Sequence, residues 1–138
     1  MSGERMVGPH PAVVISYDNA SRTCRVRIPA ITDGGAVGAL AQICYPIGDK
    51  SREGTHPTEI EIFPGDLVWV EFTMGDPRFP VITGHRCPNV GNQVGTRRFH
   101  HEKIHLAADS ELKLTVGPSQ IVMTPGGIVL RGPRLDLN

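Results

Sequence analysis

Residues 103–137 are cut into short segments of alternating apolar and polar side chains, separated by clusters of glycine, proline, aspartate and serine. Lys103-Ile104-His105-Leu106 comes first, followed by Leu112-Lys113-Leu114-Thr115-Val116, Ile121-Val122-Met123, Ile128-Val129-Leu130 and Leu135-Asp136-Leu137. Side chains alternate across a strand, so each segment presents one apolar ridge. The ridge comprises Ile104, Leu106, Leu112, Leu114, Val116, Ile121, Met123, Ile128, Leu130, Leu135 and Leu137, with Phe99 just upstream. The sequence offers no amphipathic helix and no second sheet to cover it. A meander of such short strands standing alone would leave half of the ridge in water, so the missing surface is expected from other copies of the chain. Three copies wrapped about an axis would give every ridge a partner and remove free sheet edges. A single-chain barrel extension or a dimeric sandwich satisfies the same pattern, which by itself asks only for an oligomer.

The rest of the chain is also built for strands and turns. Its 138 residues suit one ordinary domain, or one small domain with an appendage. The 16 glycines and 12 prolines are too many for a helical protein but fall short of the proportion that marks disorder. Helical periodicity is nearly absent, and the one helix-compatible stretch, residues 36–41, is interrupted by Gly38. Residues 12–17 form a β-rich run closed by Asp18-Asn19-Ala20-Ser21, side chains that bond their own backbone in turns. Residues 23–28 follow, with Cys24, Val26 and Ile28 on one face and Arg25 and Arg27 on the other, completing a predicted hairpin.

Residues 40–45 read as a third strand, followed by a polar loop at 48–57. Pro64-Gly65-Asp66 is a tight turn into residues 67–73, where Val68, Val70 and Phe72 share a face opposite Leu67, Trp69 and Glu71. Gly75-Asp76-Pro77 turns again before a strand at 80–84. About five antiparallel strands in so short a span predict a small closed barrel of the OB type. Residues 87–95 read as a linker.

Charge and cysteine usage narrow the function. Lys and Arg total 14, as do Asp and Glu, so no net positive footprint for nucleic acid or anionic lipid exists. Arg22, Arg25 and Arg27 would need aromatic stacking partners to hold a single strand, and their hairpin offers only Tyr17. Three cysteines, Cys24, Cys44 and Cys87, form neither a CxxC motif nor an even set, and are read as reduced, partly buried thiols. The polar first ten residues predict no signal peptide.

Among histidines only His100, His101 and His105 cluster. In an extended strand His101 and His105 lie about 13 Å apart, too far to share a metal. His100 could face an oligomer axis, but solvated or packed histidines are the expectation, with no metal and no cofactor. The sequence contains no GxSxG, HExxH or P-loop, and the aspartates of the two Gly-Asp turns are expected to bond backbone rather than do chemistry. The chain is not expected to be an enzyme.

Pro64-Gly65-Asp66-Leu67-Val68-Trp69-Val70-Glu71-Phe72, followed by Gly75-Asp76-Pro77-Arg78-Phe79-Pro80-Val81-Ile82-Thr83-Gly84, resembles the OB-fold signature of contractile-tail central spikes. That group includes phage baseplate spikes and the valine-glycine-repeat spikes of type VI secretion. The resemblance implies an all-β chain: an N-terminal arm at 1–10, an OB-fold collar at 11–86, a linker at 87–95, and an intertwined trimeric β-prism or β-helix rod at 96–138. The eleven ridge residues from Ile104 to Leu137 would then be the trimer core. It also implies a homotrimer that assembles in the host cytoplasm and resides in the virion, docks on the baseplate hub protein, and is driven through the host outer membrane when the sheath contracts. No nucleic acid partner is implied. Two features depart from the pattern. There is no room for a lysozyme domain between collar and rod, and residues 132–138 lack the His-x-His pair that binds iron at the tip of many short spikes. A separate tip-capping protein over Leu135 and Leu137 is therefore expected.

Overall fold

A computed structural model describes residues 5–32, 38–46 and 60–138. The loop read at 48–57, the first residues of the arm and part of the 36–41 stretch lie outside the described residues; residues 39–41 belong to a strand. The chain divides into two compact units, Met1–His101 and Glu102–Asn138.

The first unit is a closed barrel of five strands: β1 (His10–Asp18), β2 (Thr23–Arg27), β3 (Ala39–Ile43), β4 (Leu67–Phe72) and β5 (Pro80–His85), in the order β1-β2-β3-β5-β4. Alternation built it as expected. Cys24, Val26, Val68 and Val70 are fully buried, joined by Ala12, Val14, Ile28, Ala41, Ile62, Phe72 and Ile82. Each larger aliphatic or aromatic side chain removed from water contributes about 1.5–3 kcal/mol. His10 stands edge-on to Phe72, ring centroids 5.2 Å apart.

One expectation fails. The strands are not all antiparallel: β3 runs parallel to β5, pairing Gln42 with Val81 and Ile43 with Ile82. The reason is parity. Directions can alternate around a closed ring only if the strand number is even, so a ring of five must contain at least one parallel seam.

Two irregularities let the sheet curl. The β1–β2 register shifts between Val14 and Ser16, so that Val14 opposes Val26 but Tyr17, not Ser16, opposes Cys24. The extra residue moves the inward positions from even to odd numbers and bends the strand. A second shift lies between Trp69 and Val70. The Pro64-Gly65-Asp66 turn docks at the first of these: Gly65 N–H donates to the Val14 carbonyl (2.8 Å) and Val14 N–H to that of Asp66 (2.9 Å). The Asp66 carboxylate accepts from the Phe63 N–H at 2.9 Å, tying off the turn before β4 starts.

The second unit holds a three-stranded antiparallel meander, β6 (Leu112–Val116), β7 (Ser119–Thr124) and β8 (Gly127–Arg131), in that order. Gly117 (φ +52°) and Pro118 make the two-residue β6–β7 turn; Pro125 and Gly126 make the second. The segments read at 103–106 and 135–137 carry no strand. Their alternation matches that of β6, but a strand exists only where a neighbour accepts and donates along its edge, and these two have none among the described residues.

Two outcomes follow. Gly38 has φ +72°, and a Cβ there would lie 2.5 Å from the Val26 carbonyl oxygen and 2.7 Å from Ile15 Cδ1. Gly38→Ala should lower the urea-denaturation stability by about 2 kcal/mol or more, from left-handed strain plus forced backbone displacement. Burial, with the Asp66 charge adding to it, pushes the Cys24 thiol up to about 11, whereas Cys44 and Cys87 are exposed. Ellman's reagent should therefore titrate two thiols in the folded protein and the third only after denaturation.

Candidate assembly surface

Residues directly opposite in an antiparallel ladder point to the same side of a sheet, so the β6–β8 register sorts the side chains by face. Leu112 opposes Met123, which opposes Ile128; Leu114 opposes Ile121, which opposes Leu130. Val116 lies on the same side. Seven apolar side chains thus make two transverse rows and a flank on one face, with Ser119, opposite Val116, at its margin. The other face carries Lys113, Thr115, Gln120 and Arg131, with Val122 opposite Val129 among them.

The apolar face is wet. Ile121 is 41% exposed, Leu114 54% and Val116 81%, although none carries a polar atom on its side chain. Only Leu112 is part-buried. Exposed apolar residues scattered singly need no explanation, but a contiguous patch without polar interruption marks an interaction surface.

Of the eleven ridge residues predicted from sequence, the structure brings seven onto this one face. Ile104, Leu106, Leu135 and Leu137 are exposed as well but stand outside the ladder, as does Phe99. Sequence reasoning missed the Val122–Val129 pair on the opposite side. Its signal was available in the Ile-Val-Met and Ile-Val-Leu runs, where the middle residue is apolar although alternation calls for a polar one.

The barrel surface carries polar and apolar features of its own. Arg25 lies opposite Leu40 on the outside of β2 and β3, and Arg86 lies over the Trp69 ring at 5.7 Å. A groove lined by Thr23, Leu40, Gln42, Thr73, Phe79 and Pro80 sits beside the parallel seam. Arg78 covers the Phe79 ring at 5.2 Å while gripping Asp76 at 2.7 Å. The Asp76 carboxylate also accepts from the Arg78 N–H, and these bonds hold it below the usual carboxylate range. Asp18 is lowered likewise by the Ser21 hydroxyl and the Ala20 N–H. These aspartates are spent on turns.

His100 Nδ1 meets Glu61 Oε2 at 2.5 Å, 39 residues away in sequence, which no local pattern announces. His101 and His105 are not on a strand, so the 13 Å spacing inferred for one does not apply. Among the described residues, no three His, Cys, Asp or Glu side chains gather as a metal would require. Among the described residues, no helix is long and apolar enough to cross a membrane.

Comparison with known families matches residues 10–86 to the type VI secretion system/phage-baseplate injector OB domain. The match starts at the first residue of β1 and ends one residue past β5, so it covers the whole barrel. No curated protein matches the chain. With the five-stranded order closed through one parallel seam, and more than half of the chain matched, the protein belongs to the family of type VI secretion system/phage-baseplate injector OB domains.

Proposed function

We propose that this chain is the central spike of a phage baseplate, acting as a homotrimer whose β6–β8 sheets close around a common axis. The observation that carries the reading is the face of seven apolar side chains, six of them exposed and Leu112 part-buried, joined in one chain to a baseplate-injector barrel. Three such faces turned inward make a triangular shaft in which each chain's apolar rows are covered by the other two. Two copies packed face to face would also cover them; the count of three comes from the resemblance of residues 64–84 to central spikes.

In this reading the barrel is a collar that docks on the baseplate hub, and the sheet unit is the shaft that points at the host. Sheath contraction drives the shaft through the outer membrane. The task is mechanical: a cross-braced hydrogen-bonded rod is stiff, and stiffness rather than chemistry is what piercing demands. No catalytic residue, cofactor, metal or nucleic acid takes part, and a separate small protein caps the end near Leu135 and Leu137. The family name covers phage baseplates and type VI secretion alike, and the same physics would serve a spike of the secretion machine.

Native mass spectrometry tests the assembly. The expected mass is three times the 14.9 kDa chain. Leu114→Asp would bring three unpaired carboxylates together at the axis, each costing several kcal/mol, and should reduce the mass to that of one chain. Lys113→Asp, on the opposite face, should leave the trimer intact. A wild-type mass of one chain, with β6–β8 amides protected from exchange, would sink the proposal.

A further inference from the structure

We infer that residues 134–138 form a fourth strand, antiparallel to β8, in the assembled protein. The inference rests on the oligomeric reading above, because covering the apolar face is what makes the added strand worth ordering. In the single chain these residues carry no ladder, and Leu135 and Leu137 are 60% and 82% exposed.

The sheet already contains the turn that such a strand needs. β6 passes into β7 through the dipeptide Gly117-Pro118, with Val116 and Ser119 paired across it. The same dipeptide, Gly132-Pro133, follows directly on Arg131, the last residue of β8. The chain bends at Gly132 and Pro133, where a Cβ on Gly132 would lie 3.0 Å from Ser119 Oγ, next to the Gln120–Arg131 pair. A two-residue Gly-Pro connection already makes one antiparallel return in this sheet, and two-residue loops are the commonest hairpin connections.

Register agrees with the turn. Transferring the pairing across Gly117-Pro118 to Gly132-Pro133 sets Arg131 opposite Arg134, Leu130 opposite Leu135, Val129 opposite Asp136 and Ile128 opposite Leu137. Leu135 then extends the row Leu114–Ile121–Leu130, and Leu137 extends Leu112–Met123–Ile128. A slip of one residue would instead put Arg134 and Asp136 on the apolar face. The hairpin geometry and the hydrophobic pattern select the same register.

Charge favours the same register. Arg134 Nε bonds Asp136 Oδ1 at 2.8 Å. Residues two apart share a face of an extended strand, so this pair belongs together on the polar side. There the Asp136 carboxylate offsets the repulsion between Arg131 and Arg134. The added strand also covers the open edge of β8, which otherwise offers unpaired backbone groups to any passing strand.

Disulfide trapping in the full chain tests this, in a Cys44→Ser/Cys87→Ser background that keeps buried Cys24. V129C/D136C places two thiols directly opposite on the polar face, within the Cα separation a disulfide spans. Under mild oxidation the expected result is the loss of two titratable thiols per chain, with peptide mapping showing the bond within one chain. T115C/Q120C, opposed in the existing β6–β7 ladder, should close equally well, and the out-of-register pair V129C/L135C should not. If the 129–136 thiols stay free while the 115–120 pair closes, or if they link different chains, the fourth strand is wrong. The mass of the same samples separates the two readings. A trimer without the 129–136 bond overturns only the strand; a single-chain mass with that bond formed overturns only the oligomer.

Discussion

A β-strand imposes two demands at once: each edge must find hydrogen-bond partners, and at least one face must be removed from water. The barrel of this protein meets both within one chain. Closing five strands into a ring leaves no edge, and its inward side chains fill the enclosed volume with no polar or charged residue fully buried among the described residues. The β6–β8 meander meets neither fully. It has edges at β6 and β8 and an apolar face in solvent, so its sequence specifies a structure that other copies are proposed to finish. That contrast between a self-sufficient unit and an incomplete one is what gives the chain its reading as an assembly component.

Ring closure explains most of the barrel's irregularity. An odd ring needs its parallel seam, and the seam is short, two residue pairs between β3 and β5. The bulge after Val14 supplies local curvature and shifts the inward positions, which is how both Val14 and Tyr17 can face Val26 and Cys24 in turn. Loop chemistry then serves the ring. Asp18, Asp66 and Asp76 all use their carboxylates to satisfy backbone N–H groups at the points where the chain reverses, which stiffens the connections.

Positive and negative residues balance, Arg25 and Arg86 lie beside apolar neighbours, Arg78 grips a turn aspartate, and the buried thiol is held protonated. Membership of a baseplate-injector family gives this scaffold its setting, and the apolar sheet face supplies the physical reason such a domain would carry a C-terminal extension.

The sequence alone determined what depends on neighbours in the chain. The Cys24/Val26/Ile28 and Val68/Val70/Phe72 alternations fixed which side chains enter the core, Asp-containing turns fixed where strands reverse, and the 112–130 alternation fixed a one-sided sheet. Those properties follow from the two-residue period of a strand and from side chains bonding nearby backbone. Only the tertiary structure decided what depends on closure: the parallel seam, the shift of inward parity at the bulge, the meeting of His100 with Glu61, and which of several similar alternating segments became ladder. Residues 103–106 and 112–116 follow the same local rule, yet only the second has a partner strand two residues beyond its end, and pairing is a property of two segments that neither one encodes by itself.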